Sequence, residues 1–542
     1  MSTKLSRRTL LAGAAAATGG AAGLAVAPSP AAAVAETSSA CLPAAPSVVV
    51  PPSDQRYADL VRSWNGRFVG NPDYVQVVNT TAQVEQAVQA AVRARKQIAV
   101  RSGGHCVEGF VTDPNVKVQI DMSRMTEIAF DRSRNAFLIE PGATLRDVFR
   151  KLYTEYAVTV PAGTCPSVGA GGHFQGGGFG ALCRRNGLSS DCIYAVEVVT
   201  VTASGNVKTI VATREAGDPN RELWWAHTGG GGGNFGVVTK YWMRAWGATG
   251  SNPATLLPAP PRMSRSLAFV FPWAALTQAT FTQLLKNYIN WHLANSGPAS
   301  PFTALNATLI AAHKNSFPAN LLSVVVDPTD PATNDLVAQF KAAVVDPVGA
   351  PYQLTDSTRP WLESTNVAGY SDTGDEVGRR NKAKGTYLRG PYSDEQLAIT
   401  HHYLTATDIT SPLAGVFFNS YGGKVNSLPW DATAVPQRDS VLKVMHTAHW
   451  TNPAQDATFI GWLRDFYRDL YAGTGGVPVP NAVTDGSYIN YADIDLADPA
   501  LNTSGVPWST LYYKGSYPRL QRVKAAYDPG NVFRHKLSIE LP

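Results

Sequence analysis

Three glycine-rich segments lie within about 140 residues of this chain, and they constrain its fold most. The segments are Arg101–His105, Val168–Gly178 and Gly229–Gly236. Glycine tolerates positive φ and close backbone approach, so successive N–H groups can form a nest around a pyrophosphate. One such segment alone indicates a tight surface turn. Three of them, each flanked by strand patterns, predict a dinucleotide site.

The kind of dinucleotide site follows by exclusion. No segment ends in Gly-Lys-Ser/Thr, which excludes a P-loop. A Rossmann fingerprint needs Gly-x-Gly-x-x-Gly opening a helix, and Gly169-Ala-Gly171-Gly172-His-Phe-Gln-Gly176 misses that spacing. Its surroundings lack helical periodicity and predict a loop. A flavin site in a non-Rossmann fold is left.

Strand and helix patterns alternate from Asp73 onward and predict an α+β domain of about 200 residues. Thr80 and Gln83 form a possible capping box before an amphipathic helix, and Ile98–Arg101 is a strand that runs into the first glycine segment. The Pro/Ala/Ser-rich stretch Gly247–Arg262 indicates a crossing into a second domain. That domain has the pattern of an antiparallel sheet backed by helices, including a helix over about Trp273–Ala294.

Four motifs in order carry a resemblance to a known family. They are Arg101-Ser-Gly-Gly-His105, Cys165-Pro-Ser-Val-Gly169 with its glycines to Gly178, Gly231-Gly-Gly-Asn-Phe-Gly236, and Tyr488-Ile-Asn-Tyr491-Ala-Asp493. Together they resemble the berberine bridge enzyme family, FAD-linked oxidases of the vanillyl-alcohol oxidase fold, over about residues 55–542. Within it the chain is similar to bacterial secreted members, which include oligosaccharide oxidases.

The resemblance implies a two-domain architecture with an insertion. An FAD-binding domain would occupy residues 55–250, and an antiparallel-sheet substrate domain residues 251–487. A C-terminal segment, residues 488–542, would return to pack on the FAD-binding domain.

The resemblance also implies two covalent bonds to the flavin. The histidine of the first motif bonds to the 8α-methyl group, which falls on His105, and the cysteine of the second motif bonds to C6, which falls on Cys165. A neutral imidazole and a thiolate are nucleophiles that an electron-poor isoalloxazine can trap. The alternatives are a loop histidine that caps backbone groups, and a buried thiol or disulfide partner.

Further residues are expected to bind the cofactor because they belong to these motifs. They are Arg101, Ser102, Gly103, Gly104, Cys106, Val168, Gly169, Gly171, Gly172, His173, Gly176, Gly177, Gly178, Gly236, Val237, Tyr488 and Asn490. The chain has five cysteines, an odd number, so at least one lies outside any intramolecular disulfide. A thioether at Cys165 would leave Cys41, Cys106, Cys183 and Cys192, whose pairing the sequence does not define.

The catalytic base implied by the family motif is Tyr491. A phenol with a pKa near ~10 is a poor base at neutral pH unless its surroundings lower that pKa. Asp493 cannot do so by its charge, because a nearby carboxylate raises the pKa of a phenol, and we expect it to be an acceptor that holds the loop. Tyr421 matches a family tyrosine in the substrate cavity, and it is a second candidate base or a packing residue on an apolar strand.

The first 35 residues have the features of an export signal. Ser6-Arg7-Arg8-Thr9 is a twin-arginine pattern, an Ala/Gly-rich stretch follows, and Ala33-Val34-Ala35 is a small-x-small cleavage site. The stretch is too short and too poor in Leu and Ile to favour a transmembrane anchor. We expect residues 1–35 to be removed, residues 36–54 to be a disordered lead-in, and the mature protein to be secreted by the twin-arginine pathway.

Charge and composition exclude several partners. Without the signal, the excess of basic over acidic residues falls from five to two, which removes the electrostatic case for nucleic acid. No apolar run of spanning length follows residue 35, so no membrane span is expected. His401-His402 and His446-x-x-His449 are not spaced as metal ligands, since positions i and i+3 of a strand face opposite sides, and no metal site is expected.

The function predicted from the sequence is that of a secreted FAD-dependent oxidase with a bicovalently bound flavin. It would oxidise a sugar hydroxyl of an oligosaccharide or glycosylated metabolite by hydride transfer to flavin N5, and O₂ would accept the electrons as H₂O₂. Three alternatives stay open: oxidation of an aromatic, alkaloid or polyketide-type metabolite, a dehydrogenase of the same fold that excludes oxygen, and a non-catalytic flavin- or sugar-binding protein. The sequence defines neither the substrate nor the oligomeric state.

Overall fold

The computed structural model describes residues 45–367, 378–406 and 408–542. The predicted signal segment, residues 1–35, and Cys41 lie outside these residues. The described chain contains three β-sheets, two formed between residues 48 and 243 and one between residues 263 and 450. Helices accompany all three sheets, which is the α+β class that the sequence predicts.

The first sheet is mostly parallel, and the first glycine segment lies between two of its strands, β3 and β4. Its strands, in the spatial order β1-β2-β4-β3, are β1 Val48–Val50, β2 Tyr74–Val77, β3 Gln97–Arg101 and β4 Val116–Asp121. Between β2 and β3 the chain forms α2, Thr81–Arg93, after the short α1, Tyr57–Leu60. The predicted cap is present, because Thr80 Oγ1 accepts a hydrogen bond from Gln83 N at 3.2 Å.

Strand β1 corrects the expectation that residues 36–54 are disordered. Val48–Val50 pairs antiparallel with β2, with Val48 opposite Val77, and Val50 is fully buried. Three β-branched residues in a row favour an extended backbone, and the edge of β2 provides hydrogen bonds that an isolated segment lacks. The lead-in is therefore ordered from this strand onward.

The second sheet is antiparallel, and its last strand in the chain begins directly after the third glycine segment. In the spatial order β5-β6-β9-β7-β8 its strands are β5 Ile128–Asp131, β6 Ala136–Ile139, β7 Ile193–Val201, β8 Val207–Thr213 and β9 Val237–Met243. The helices in this stretch are α3 Leu145–Tyr156, α4 Ala170–Gln175, α5 Cys183–Asn186 and α6 Arg221–Ala226. Helix α4 corrects the expectation of a loop, since the second glycine segment forms one and a half turns of helix.

The third sheet has seven antiparallel strands, as the sequence predicts for the second half of the chain. In the spatial order β13-β10-β12-β11-β15-β16-β14 they are β10 Met263–Pro272, β11 Asn306–Ala312, β12 Ala319–Val326, β13 Gln353–Pro360, β14 Arg380–Leu388, β15 Leu413–Ser420 and β16 Leu442–Trp450. Five helices accompany it: α7 Gln278–Asn295, α8 Thr333–Val344, α9 Trp361–Val367, α10 Asp394–Thr405 and α11 Asp456–Leu470. Helix α7 begins later than predicted because Thr277 caps it, accepting from Thr280 N at 3.2 Å.

Strand β14 lies at one edge of this sheet, and the later chain covers that edge. Tyr387 N donates to Gly486 O, and Asp485 N donates to Tyr387 O, each at 2.9 Å. An exposed edge would leave unpaired N–H and C=O groups. The covering backbone continues directly into residues 487–495, and α12 Trp508–Tyr513 and α13 Tyr517–Tyr527 follow.

Candidate active site

The first two glycine segments touch through their backbones. A Cβ atom on Gly103 would lie 2.3 Å from Gly169 N, and one on Gly169 would lie 2.0 Å from Ser102 Oγ. Contacts below 3.0 Å are not tolerated by a real Cβ, so neither position has room for a side chain. The contact brings the end of β3 against the start of α4.

His105 lies in the loop after β3 and is held from two sides. The Trp64 indole stacks on its imidazole with ring centroids 5.3 Å apart, and His105 Nε2 and Ser167 Oγ form a hydrogen bond of 2.8 Å. Trp64 N also donates to Gly104 O at 2.9 Å. Ser167 is two residues from Cys165, so the two predicted attachment residues lie on adjacent loops.

The loop that carries Cys165 is fixed by His173 of α4. Gly163 N donates to His173 Nε2 at 3.0 Å, which requires an unprotonated ring nitrogen. Burial, with a smaller effect from the Lys443 charge, lowers the pKa of His173 to about 3, so the ring is neutral at physiological pH. In the described chain His173 therefore acts on the backbone of this loop, while Cys165 is half-buried and in no disulfide.

The third glycine segment joins the same cleft. Gly231 N donates to Gln175 O at 3.0 Å, which ties this segment to the end of α4. Asn234 closes the loop on itself by donating from Nδ2 to Gly230 O at 2.9 Å. The C-terminal segment holds the loop from outside, because Tyr513 Oη donates to Gly230 O at 2.8 Å and Lys524 Nζ donates to Asn234 O at 2.7 Å.

The Tyr488–Tyr491 loop docks on the end of α4. Gly178 N donates to Tyr488 Oη at 3.0 Å, and Asn490 Nδ2 donates to His173 O at 3.0 Å. A Cβ on Gly176 would lie 2.1 Å from Asn490 Oδ1, so this docking also depends on a missing side chain. The structure thus brings the three glycine segments, His105, Cys165 and the Tyr491 loop to one place.

An aromatic cluster surrounds a buried lysine beside Tyr491. Lys443, on β16, has no hydrogen-bond partner for its Nζ among the described residues. Its Nζ lies 3.2 to 5.8 Å from five ring centroids, those of Phe179, Tyr387, Tyr421, Tyr488 and Tyr491. Such contacts favour the ammonium, but burial has the larger effect and lowers the pKa of Lys443 well below its usual value.

The two candidate bases belong to this cluster. The ring centroids of Tyr491 and Tyr488 lie 5.1 Å apart. Burial, with smaller effects from Tyr488 and Cys165, raises the pKa of Tyr491 above its usual value. Tyr421 follows the last residue of β15, is fully buried, and donates from Oη to Gln437 O at 3.3 Å. Burial also raises the pKa of Tyr421, and its hydroxyl is already engaged with the protein.

Asp493 is an acceptor, as the sequence predicts, and its donors are two buried lysines. Lys382 Nζ donates to Asp493 Oδ1 at 2.7 Å, and Lys384 Nζ donates to Asp493 Oδ2 at 2.6 Å. Lys382 also donates to the buried carboxylate of Glu108. Burial raises the pKa of Glu108, and the charge of Lys382 opposes that rise.

Several expected cofactor residues also have partners within the protein. Arg101 pairs with Asp121 at 3.0 Å under the first glycine loop, although its buried Nε has no hydrogen-bond partner in the described chain. Val168 O accepts from Leu145 N at 2.9 Å, and Val237 is packed in the core at the start of β9. The thiol of Cys106 is buried, and burial raises its pKa. Their contribution is to support the loops.

Sequence reasoning missed the buried cations Lys382, Lys384 and Lys443 and the carboxylate Glu108. Lys382 and Lys384 flank Ala383 in β14, and Lys443 stands between Leu442 and Val444 in β16. A charged residue within such a pattern is the available signal, because buried charges occur where they are paired or functional.

The residues present fit a bound FAD. Gly172 of α4 is exposed, and a Cβ atom there would meet nothing within 4 Å, so this face of the cleft is open. Around it lie backbone N–H groups of glycine segments, which suit a pyrophosphate. His105 and Cys165 add a nucleophile on each of two adjacent loops, as attachment to a flavin requires.

Comparison with known proteins agrees with this site. A family model described as an FAD binding domain matches residues 72–210, and one described as berberine and berberine-like matches residues 487–540. The chain is 50% identical to the aclacinomycin-N/aclacinomycin-A oxidase of Streptomyces galilaeus, over 90% of this chain and 89% of that protein. It is 31% identical to the hexose oxidase of Chondrus crispus, over 90% of this chain and 93% of that protein.

A solved structure is similar throughout its length. The glycopeptide hexose oxidase complexed with teicoplanin superimposes with a TM-score of 0.88 at 49% identity, covering 92% of this chain and 100% of that one. The fold and the site define a flavoprotein oxidoreductase of the vanillyl-alcohol oxidase type. This chain belongs to the berberine bridge enzyme-like family of FAD-linked oxidases. No helix within the three described ranges is both long and apolar enough to cross a membrane.

The contact at Gly176 leads to a stability prediction. We expect Gly176→Ala to lower the urea midpoint of unfolding, because its Cβ would overlap Asn490 Oδ1, and overpacking typically costs about 1–3 kcal/mol. The matched control is Gly461→Ala in α11, where a Cβ meets nothing within 4 Å and the exchange favours the helix by about 0.5–1 kcal/mol. A Gly176→Ala protein as stable as wild type would contradict the packing described here.

Proposed function

We propose that this protein is a secreted oxidase with a bicovalently bound FAD that oxidises a sugar hydroxyl of an oligosaccharide or glycosylated metabolite, with O₂ as acceptor and H₂O₂ as product. The observation that carries the proposal is the aromatic cluster around Lys443 and Tyr491, directly beside the glycine segments. Substrate class is supported by relatives named as a hexose oxidase, a glycopeptide hexose oxidase and an aclacinomycin oxidase.

His105 and Cys165 would hold the flavin, the first through its 8α-methyl carbon and the second through C6. The hydrogen bond between His105 Nε2 and Ser167 Oγ orients the imidazole on the loop next to the one that carries Cys165. When bound, FAD supplies the hydride acceptor, N5 of its ring. Two bonds on adjacent loops would fix the ring without a deep pocket, which leaves room for a bulky glycosylated substrate.

Tyr491 would remove the proton of the substrate hydroxyl, and Lys443 makes this possible. Burial lowers the pKa of Lys443 and raises the pKa of Tyr491, which favours an uncharged amine beside an uncharged phenol, a pair that can accept one proton. For Tyr491 to take the substrate proton, its own hydroxyl proton passes to the Lys443 amine, so the phenol ends neutral and the additional positive charge resides on Lys443. An ammonium about 6 Å from a phenolate stabilises it by about 3 kcal/mol at an effective dielectric constant near 20.

Peroxide release tests the reaction and the substrate class together. We expect purified protein to release H₂O₂ with oligosaccharides or glycosylated aromatic metabolites, and not with the corresponding aglycones. Release with aglycones alone would favour the aromatic or polyketide alternative. Flavin reduction by a sugar without peroxide in air would identify a dehydrogenase, and no reduction by either class would contradict the proposal.

The covalent links are tested by denaturation. We expect the flavin to stay with the polypeptide after acid precipitation, in wild type and in the variants His105→Ala and Cys165→Ala, because each variant keeps one bond. Only the double variant should release flavin into the supernatant, which absorbance at flavin wavelengths measures. Free flavin from wild type would rule out both bonds.

The roles of Tyr491 and Lys443 are tested by single-turnover flavin reduction. Tyr491→Phe keeps the ring and deletes the hydroxyl, and we expect reduction to slow by about 10²–10⁴-fold, the usual cost of losing a general base. Lys443→Met should slow it comparably, with flavin content unchanged in both variants. Tyr421→Phe is the matched control in the same cluster, and an equal loss there would mean that the two tyrosines share the role.

Export is tested at the N-terminus of the secreted protein. We expect sequencing to begin at Glu36, after Ala33-Val34-Ala35. Replacing Arg7 and Arg8 together by Lys should keep the precursor inside the cell. Normal secretion of that variant would argue against the twin-arginine pathway while leaving the enzyme's chemistry untouched.

A further inference from the structure

We propose that Lys382 is a positioning residue that ties the loop carrying His105 to the loop carrying Tyr491. Its ammonium donates to Glu108, three residues after His105, and at 2.7 Å to Asp493, two residues after Tyr491. One side chain therefore bridges the flavin attachment point and the base. The inference rests on the proposed function, because it concerns the distance between the two groups that perform it.

The bridge lies at the edge strand of the third sheet, which the Tyr491 loop wraps around. Successive side chains of β14 face opposite sides. On one side, a Cβ on Gly385 would lie 3.4 Å from Tyr491 Cβ. On the other side, Lys382 and Lys384 hold Asp493. The Tyr491 loop is thus anchored to both faces of β14, so a shift of Tyr491 would also displace this strand.

The same strand also holds the His105 loop through the side chain of Asn65. Asn381 N donates to Asn65 Oδ1 at 3.1 Å, and Asn65 Nδ2 donates to Val107 O at 3.0 Å. Asn381 and Lys382 are consecutive, so two neighbouring positions of β14 reach the segment that follows His105. This makes β14 the common support of both loops.

The cost of the buried charges argues for a role beyond stability. Three buried carboxylates meet three cations here: Glu108, Asp493 and Asp495 with Lys382, Lys384 and Arg464. All of these side chains except that of Arg464 are at most 4% exposed. Replacing buried ion pairs by apolar residues is often neutral or stabilising, so the network contributes little net stability. It supplies directional bonds that hold two loops in one arrangement.

Two charge-balanced double variants separate bridging from charge balance. Lys382→Met with Glu108→Gln removes one cation and one anion and cuts the bridge. Lys384→Met with Asp495→Asn also removes one of each but leaves Lys382 between Glu108 and Asp493. Both are compared as FAD-loaded protein, by hydrogen exchange without substrate and by single-turnover flavin reduction at saturating sugar or glycoside.

We expect the first double variant to exchange faster in both residues 103–110 and residues 487–496. Its flavin reduction should slow by up to about 10²-fold, the cost of a displacement near 1 Å, while the half-saturating substrate concentration changes little. The second double variant should exchange faster only in residues 487–496, with a smaller loss of rate. Exchange confined to residues 487–496 in both variants, or equal losses of rate, would overturn the proposal.

Two further points keep the test decisive. If the first double variant does not fold, Glu108→Met cuts the same bridge from the other loop and leaves Lys382 on Asp493, and the same readouts apply. If wild type is not reduced by any sugar or glycoside, the proposed function fails. The hydrogen-exchange comparison still supports or overturns the bridge, because it needs no substrate.

Discussion

Close approach of other atoms to glycine backbones is the constraint on which the rest of the site depends. Gly103 against Gly169, and Gly176 against Asn490, leave no space for a Cβ. These contacts let segments far apart in sequence meet at one cleft, and they put His105, Cys165 and Tyr491 on loops that touch each other. Hydrogen bonds that His173 and Tyr488 accept, and one that Asn490 donates, then hold positions that the glycines allow.

The sequence is informative wherever a local pattern has a single physical use. Glycine segments between strands predicted a close-approach dinucleotide site, and alternating patterns predicted an antiparallel second sheet. It fails where a tertiary neighbour decides the outcome. Val48–Val50 is ordered because β2 offers an edge, and α4 forms in a glycine-rich segment because Tyr241 and Asn490 donate hydrogen bonds to its backbone carbonyls. Neither partner is visible from local composition.

Buried charge is the part of the site that sequence reasoning could not reach. A lysine in a strand pattern normally faces water, and the local patterns of β14 and β16 do not define whether both faces of each strand are covered. The covering of β14 by residues 483–486 and the wrapping of the loop to Asp495 bury Lys382 and Lys384. Lys443 on β16 pairs directly opposite Tyr387 on β14, the residue whose backbone bonds to the covering segment, so Lys443 is buried beside the same covered edge.

In the proposed mechanism, the part of the chain that forms the third sheet has a role in the chemistry as well as in shaping the cleft. Tyr491 belongs to the C-terminal segment, but the cation beside it comes from β16 and the cations that hold its loop come from β14. A phenol whose pKa is raised by burial needs a nearby basic group to act as a base, and Lys443 Nζ lies 5.8 Å from the Tyr491 ring centroid. In the proposed mechanism the base is therefore assembled from two parts of the chain, the C-terminal segment and strand β16.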